Sequence, residues 1–332
     1  MLRVERVIRS RGGFSRRRDL LAAGCSDGQV RAALAAKRIF RVRHGWYSVP
    51  DAPDDAVRAI RVGGRLTGVA ALRSYGLRVP FRPTVDVVVP SHANRLRNPV
   101  DRGRRLCPDD PVRVHWTDAP RQSVDPGSWR VSLDDALVVV LATEGRDIAV
   151  ACCSAVMHVE RWSERRMDAV FARAPAQVQR WRQLVNRRDE SHGETFVRLW
   201  TGDIGIFLES QPALPGGGRL DFRASQNCYI EIDGAQHDPK WTGEDSGGSS
   251  WQSDHARDTL VAISGGQVLR WTYLQLYTAW QHCVAALERA VADDLELIER
   301  RRRHPERPRS LLGSARRRRS FRGVEDSVPA RR

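Results

Sequence analysis

The sequence predicts an α/β protein of several domains, and three patterns carry that prediction. Near the amino terminus, three short segments with helical spacing of apolar residues precede a segment that alternates with period two. A middle region combines the apolar strand TVDVVV with several helical segments. In the carboxyl half, the elements follow in the order α-β-β-β-α-β-α over residues 191–292. A chain of 332 residues has room for two or three such domains.

The first pattern predicts three helices near the amino terminus. Apolar spacing indicates a first helix over residues 2–10, and Gly12-Gly13 interrupts it. Ser15 is predicted to cap a second helix. Ser26 followed by Gln29 matches a capping box, which predicts the start of a third helix.

A basic hairpin is predicted to follow these helices and to complete a unit over residues 1–50. The segment RIFRVRHGWYSVP alternates around a His44-Gly45 turn, as a β-hairpin does. Three helices and a basic hairpin are the layout of a winged helix-turn-helix, whose third helix enters the major groove while the wing follows the backbone. The predicted DNA contacts are Gln29 and Arg31 on the third helix, and Arg38, Arg41, Arg43 and His44 on the hairpin. The alternative is a protein-interaction module whose charges are merely solvated.

The segment GGFSRRRDLLAAGCSDGQVRAALAAKRIFRVRHGWYSVP resembles the amino-terminal winged helix of AbiEi-type antitoxins from type IV toxin–antitoxin systems. The match covers about residues 3–50 and includes the glycine pair and an R-x-x-R-x-R-x-G-x-Y wing. The resemblance implies binding at the promoter of the protein's own operon, with a cognate toxin as a partner.

Residues 54–190 are predicted to form an α/β connector. Helical segments over 56–75, 148–158, 163–173 and 177–187 accompany strands at 84–89 and 112–116 and a helix at 133–143 that Ser132 and Asp135 open. The region offers no recognisable chemistry. Its histidines, His92, His115 and His158, are isolated in sequence and are interpreted as ordinary surface or core residues.

Acidic residues within apolar strands mark the carboxyl half, predicted as a unit over residues 191–299. In LDFRASQNCYIEIDGAQH, Asp221 lies between two apolar residues, and Glu231 and Asp233 flank Ile232. Alternation points Glu231 and Asp233 to the same face, and a hairpin would bring Asp221 near them. Clustered carboxylates repel one another unless a cation joins them. The two interpretations are a divalent metal site and the wet face of an edge hairpin.

The order α-β-β-β-α-β is the core of the restriction-endonuclease-like PD-(D/E)XK fold. The blocks LDF, YIEIDGAQH, DHARD and VLRW resemble a Vsr-like domain family related to very-short-patch repair endonucleases, over about residues 191–280. The resemblance implies that Asp221 and Glu231, with Asp233 close by, bind Mg²⁺ or Mn²⁺. It implies His237 as a general base or leaving-group stabiliser and Glu194 as a supporting acid. For Glu194 the alternative is a capping box with Ser191.

Two arginines complete the predicted site. Arg257 lies between Asp254 and Asp258 on one predicted helix face, where it contacts a phosphate or merely forms a surface ion pair. Arg270 in the last strand is predicted as a structural partner of a core carboxylate. The lysine of the usual E-x-K motif is absent, because position 233 is Asp.

The net charge of +15 is concentrated at the carboxyl terminus. Residues 300–332 hold 13 arginines against three acidic residues and are predicted to be a disordered basic tail that binds polyanions or aids solubility. No apolar run approaches the ~18 residues of a membrane span, and no CxxC pair occurs. The expectation is a cytoplasmic, nucleoid-associated DNA-binding protein with a metal-dependent endonuclease-like domain. The alternative is an antitoxin-like transcriptional regulator with a degenerate nuclease fold, and the oligomeric state stays open.

Overall fold

The computed structural model of the chain describes residues 3–117, 128–214, 218–233, 261–262 and 265–303. Within these ranges the protein is mixed α/β, with helices packed on three small sheets. The predicted α/β class is therefore confirmed at this level. No helix in the described ranges is both long and apolar enough to span a bilayer.

The amino-terminal unit alternates helices with a three-stranded antiparallel sheet in the order β1-β3-β2. Its elements are α1 (Arg3–Ser10), β1 (Phe14–Arg16), α2 (Arg17–Ala22), α3 (Asp27–Ala35), β2 (Phe40–Arg43) and β3 (Trp46–Ser48). The capping box of Ser26 and Gln29 is confirmed at the start of α3. The predicted cap at Ser15 is wrong, because Ser15 lies in β1 opposite Tyr47 and α2 begins at Arg17 without a side-chain cap.

The middle region builds a second sheet in the order β4-β5-β6, with β5 antiparallel to β4 and parallel to β6. The predicted strands at β5 and β6 are confirmed, whereas the short β4 was predicted as helix. Its elements are α4 (Asp54–Val62), β4 (Arg65–Thr67), α5 (Gly68–Ser74), β5 (Val85–Val89), β6 (Val112–Trp116), α6 (Leu133–Thr143), α7 (Arg146–Val159), α8 (Glu164–Phe171) and a 3₁₀ helix (Ala176–Leu184).

The carboxyl-terminal unit carries a four-stranded sheet in the order β7-β8-β9-β10, in which only the β9–β10 pair is parallel. Its elements are α9 (His192–Asp203), β7 (Glu209–Ser210), β8 (Phe222–Arg223), β9 (Cys228–Asp233), β10 (Gln267–Thr272), α10 (Tyr273–Thr278) and α11 (Trp280–Arg303). The strand predicted at 204–208 is wrong, since pairing begins at Glu209. The long helix predicted over 274–300 is two helices separated at Ala279. The second of these helices, α11, continues to Arg303, so the first residues of the predicted tail are helical.

Apolar packing joins the amino-terminal unit to the middle region. Phe14 and Val42 are buried in the same cluster as the β4–β6 sheet and helices α4 to α8. The ring of Phe14 lies 5.1 Å from that of Trp129, whose indole Nε1 donates to Arg11 O at 3.3 Å. Burying an aromatic side chain of this size stabilises the contact by about 2–3 kcal/mol.

Polar contacts join the middle region to the carboxyl-terminal unit. Arg146 on α7 donates to both carboxylate oxygens of Asp203 on α9, at 2.8 and 2.6 Å. Next to it, Trp200 Nε1 donates to Asp147 Oδ2 at 2.8 Å. Bidentate arginine–carboxylate pairs fix orientation as well as distance, so α7 and α9 are held in one register.

Candidate functional site

The predicted acidic hairpin forms, and it places Asp221 beside Glu231. β8 and β9 pair antiparallel with Phe222 opposite Ile230, and both side chains are buried in the core. Continuing this register by one residue sets Asp221 opposite Glu231, where facing residues lie about 5 Å apart. Asp221 Oδ2 accepts a hydrogen bond from Ile232 N at 2.8 Å, which fixes the carboxylate at the end of the hairpin.

Arg270 supplies a positive charge to this edge of the sheet. β10 runs parallel to β9 with Arg270 in register with Glu231. Its Nη1 lies 2.6 Å from Glu231 Oε2 and 3.9 Å from Asp233 Oδ1. The prediction of Arg270 as the partner of a core carboxylate is confirmed. Asp233 is 54% exposed, whereas the side chain of Glu231 is 14% exposed, so Glu231 is the buried member of the pair.

Glu194 reaches the same edge from α9. Its carboxylate is buried, and Oε2 accepts from Glu190 N at 2.9 Å and from Gln211 Nε2 at 3.2 Å. Burial, and after it the negative charge of Asp221, raise the pKa of Glu194 to about 8. The effect of the Asp221 charge on Glu194 means that the two carboxylates lie near each other. This is the position that the resemblance to Vsr-like nucleases implies for a supporting acid on the first helix.

The capping alternative for Glu194 is met only in part. Ser191 Oγ accepts a hydrogen bond from Glu194 N at 3.2 Å, as an N-cap does. The Glu194 carboxylate, however, receives the N–H of Glu190 instead of that of Ser191. Half of the capping box is therefore present, and the carboxylate remains at the site.

Tyr273 belongs to the site and was missed by sequence reasoning. It begins α10 directly after β10, and its hydroxyl accepts a hydrogen bond from Gly193 N at 3.2 Å. Burial raises its pKa, and the charges of Glu194 and Asp221 add to the rise. A signal was available, since Thr272 and Gln275 form a capping box that ends β10 and begins a helix at this point.

The turn of the hairpin is held from α11. Asp294 is buried and accepts hydrogen bonds from Ser225 Oγ at 2.6 Å, from Asn227 N at 2.9 Å and from Asn227 Nδ2 at 2.8 Å. Burial alone would raise the pKa of Asp294, but these hydrogen bonds outweigh it and the pKa is lowered. Asp294 thus anchors the loop that joins β8 to β9.

The carboxylates at this sheet edge are of the ligand type that a divalent cation prefers, but fewer than three of them lie close together among the described residues. Oxygen ligands are those that Mg²⁺ prefers, and Asp221 and Glu231 offer them from adjacent strands. In the described part of the chain, no group of three or more His, Cys, Asp and Glu residues is close enough together to hold a metal ion. His237 and Arg257, predicted as a catalytic residue and a DNA contact, lie outside the described residues.

Two of the arginines predicted to contact DNA form contacts within the protein, although the Arg38 side chain is itself 51% exposed. Arg38 Nε and Nη2 lie 2.9 and 2.8 Å from Glu5 Oε2, and the Glu5 side chain is 4% exposed. Arg43 is half-buried and donates to Arg61 O and Arg95 O, each at 3.2 Å. Burial lowers the pKa of Arg43, and the charge of Arg97 adds to that effect.

Three of the remaining candidates, Arg31, Arg41 and His44, line an open cleft between α3 and the β2–β3 hairpin. Arg31 is exposed on α3, and Arg41 is exposed on the hairpin with Nη2 3.1 Å from His44 Nδ1. With Arg17, these residues line a cleft of about 520 Å³. Gln29 is exposed on the same helix, where its Oε1 accepts from Ser26 N in the capping box.

A buried polar network in the middle region was also missed. His115 Nε2 lies 2.7 Å from Asp86 Oδ1, and Arg113 Nε lies 2.9 Å from the same oxygen. Arg113 Nη2 continues to Glu144 Oε1 at 2.8 Å, so one guanidinium bridges two buried carboxylates. His115, interpreted from sequence as an ordinary residue, is part of this structural network.

The fold and site together define an α/β protein with a basic amino-terminal unit and a carboxylate-bearing sheet edge. Comparison with known proteins adds no relative, because no family model and no curated protein matches the chain. The resemblances to antitoxins and Vsr-like nucleases therefore stay predictions.

Proposed function

We propose that the chain is a DNA-binding protein whose carboxyl-terminal unit hydrolyses DNA phosphodiesters with a divalent metal ion. The observation that carries this proposal is the position of Asp221, coupled to Glu194 on the preceding helix and opposite Glu231 on the adjacent strand. The sheet order β7-β8-β9-β10 with a parallel final pair is the order of a PD-(D/E)XK nuclease core. In such a core, acids from the first helix and two neighbouring strands serve one site.

The amino-terminal unit supports the DNA-binding half of the proposal. Its element order, α-β-α-α-β-β, and its sheet order, β1-β3-β2, are those of a winged helix. Arg31 on α3 and Arg41 on the β2–β3 hairpin are the exposed cations at the elements that contact DNA in that fold. DNA binding through these residues would be largely electrostatic and would weaken with salt.

In this function Asp221 and Glu231 would hold Mg²⁺ or Mn²⁺. The ion would polarise the scissile phosphate and lower the pKa of an attacking water. Glu194, whose pKa is raised to about 8 by burial and then by the charge of Asp221, would serve as the supporting acid of the site. Arg270 orients Glu231 and presents a guanidinium that matches a phosphate in shape and charge.

Nicking of supercoiled and mismatched DNA in the presence of Mg²⁺ or Mn²⁺ tests the proposal. Wild-type protein should nick, whereas Asp221→Asn and Glu231→Gln should not, because each removes a carboxylate charge without changing side-chain volume. Asp293→Asn, at an exposed position on α11, is the matched control and should nick like wild type. If no protein nicks, or if all four nick equally, the proposed site is wrong.

One observation favours a second function, a transcriptional regulator with a degenerate nuclease fold. The 2.6 Å contact of Arg270 with Glu231 already neutralises a candidate metal ligand. A regulator would bind duplex DNA but leave it intact with either metal ion. Titration of Mn²⁺ into wild type and Arg270→Gln distinguishes the two functions: a nuclease site binds Mn²⁺ in the wild-type protein, and a degenerate site does not.

A further inference from the structure

An arginine-rich loop of the middle region lies against the amino-terminal unit. Residues 95–105, hereafter the arginine loop, contain five arginines and a single acidic residue, Asp101. Four of the arginines are exposed, namely Arg95, Arg102, Arg104 and Arg105. Their charge is thus presented at the surface in a segment to which the proposed function gives no role.

The arginine loop is fixed by internal hydrogen bonds. Asn98 Oδ1 accepts from Val100 N and Asp101 N at 2.9 and 2.8 Å, and Asn98 Nδ2 donates to Asp110 Oδ1 at 2.7 Å. Asn98 N donates in turn to Arg104 O at 3.1 Å, which closes the loop as a narrow hairpin. Because the loop is already held in place, binding a partner would cost little backbone conformational entropy.

The same loop is joined to the β2–β3 hairpin. Arg102 Nη1 donates to Arg41 O at 2.8 Å, and Arg43 Nη2 reaches back to Arg95 O. Between the two segments lies an open cleft of about 640 Å³. Its cationic lining consists of Lys37, Arg41, Arg61 and Arg102.

We propose that the arginine loop is a second contact for the DNA phosphate backbone, continuous with that of the β2–β3 hairpin. The inference rests on the DNA-binding half of the proposed function and is independent of nuclease activity. A duplex carries about one negative charge per 1.7 Å of its axis, so exposed arginines on a fixed loop beside the β2–β3 hairpin would meet the next phosphates along the strand. Guanidinium groups match phosphate oxygens with paired donors.

Binding of the full chain to a fluorescein-labelled duplex of mixed sequence, measured by anisotropy from about 50 to about 200 mM salt, tests the inference. The double variant Arg104→Ala/Arg105→Ala should bind more weakly. Its log–log salt slope should be shallower than that of wild type by about 0.9 for each phosphate that the variant no longer neutralises. The variant Arg104→Lys/Arg105→Lys keeps both charges and should restore most of the slope.

Matched variants separate failure of the inference from failure of the proposed function. Arg165→Ala/Arg180→Ala removes two exposed arginines from α8 and the 3₁₀ helix and should leave the slope unchanged. Arg41→Ala should make it shallower. If Arg41→Ala weakens binding and the loop variant binds like wild type, the arginine loop is not a DNA contact. If neither variant changes the slope, DNA binding through this face is wrong as well.

Discussion

At the scale of single residues, the acids of the candidate site have different electrostatic neighbours. Burial and the charge of Asp221 raise the pKa of Glu194 to about 8, whereas Glu231 forms an ion pair with Arg270. Two acids at one edge of a sheet thus differ in electrostatic environment because their nearest neighbours differ. That difference is a property expected of sites that move protons, and it also affects stability.

Glu194→Gln should make the protein more stable at alkaline pH. The folded pKa of Glu194 is about 8 and the ordinary value is 4.5, so between these values the folded state binds more protons than the unfolded state. Stability therefore falls as pH rises through this window, by about 1.4 kcal/mol for each unit by which the folded pKa exceeds the ordinary one.

Urea unfolding of the metal-free protein at about pH 5 and about pH 9 measures the effect. The exposed control Glu288→Gln should follow wild type. Equal pH dependence in wild type and Glu194→Gln would show that Glu194 ionises normally.

Gly63→Ala should loosen the attachment of the β2–β3 hairpin. Gly63 has φ +117°, and a Cβ at this position would clash with Arg43 Nη1. The guanidinium would have to leave the carbonyl groups of Arg61 and Arg95, at a cost of about 2–3 kcal/mol together with the backbone strain. Thermal unfolding measures the destabilisation.

Gly76→Ala is the matched control for Gly63→Ala. Its φ is +85°, but an added Cβ meets no atom within 4 Å, so only the backbone strain of about 1 kcal/mol remains. A second substitution, Arg43→Ala in the Gly63→Ala background, removes the clashing atoms. If Gly63→Ala and Gly76→Ala are destabilised equally, the contact with Arg43 contributes nothing.

At the scale of elements, short-range signals predicted more than long-range ones. The capping box of Ser26 and Gln29 and the strand β9 follow from residues close together in sequence. The helix expected to start at Ser15 failed because Ser15 pairs with Tyr47, across 32 positions of the chain. The long carboxyl-terminal helix breaks at Ala279, next to Trp280, whose ring packs 5.1 Å from that of Trp200. Tertiary packing overrides local preference in both cases.

The candidate site was likewise predictable only where its residues lie close together in sequence. Alternation along β9 predicted that Glu231 and Asp233 share a face, and Arg270 contacts both of them. Tyr273 and Asp294 were not predicted, because their hydrogen-bond partners lie 80 and 67 positions away in sequence. The pattern of one strand indicates the acids of the site, whereas the groups that position them come from elements that only the folded chain brings near.

Asp294→Asn should destabilise the β8–β9 hairpin most strongly near neutral pH. The hydrogen bonds from Ser225 and Asn227 hold the pKa of Asp294 below its ordinary value despite its burial. The stabilisation is complete above the ordinary pKa and is lost as pH falls through the folded pKa. A destabilisation of about 2 kcal/mol is expected at pH 7, shrinking toward acid pH, because the bonds are charge-assisted. Urea midpoints across this pH range measure it, with Asp293→Asn as the control. A destabilisation that stays constant with pH would mean that the carboxylate charge is not what anchors the turn.

At the scale of the whole molecule, the middle region connects the proposed DNA-binding and nuclease units. Phe14 and Val42 are buried in its core on one side, and the pair of Arg146 with Asp203 fixes α9 on the other. The buried bridge from Asp86 through Arg113 to Glu144 adds rigidity within it. If the proposed function is correct, this connector holds the DNA-binding unit and the nuclease unit in a fixed relation. Substitutions at either end should then affect the two activities separately.

This arrangement predicts that substitutions in the amino-terminal unit change KM, whereas substitutions at the carboxylate site change kcat. Arg41→Ala removes an interaction that is equal in the ground and transition states, so nicking should show a raised KM with kcat nearly unchanged. Asp221→Asn should lower kcat at least about 100-fold while the Kd for DNA, measured by anisotropy, stays within about twofold. The arginine-loop variant Arg104→Ala/Arg105→Ala should behave like Arg41→Ala, because both sets of arginines are proposed to contact phosphates away from the scissile bond. If Arg41→Ala lowers kcat as strongly as Asp221→Asn does, the amino-terminal unit affects the chemical step. The idea that this unit only positions the duplex would then be wrong.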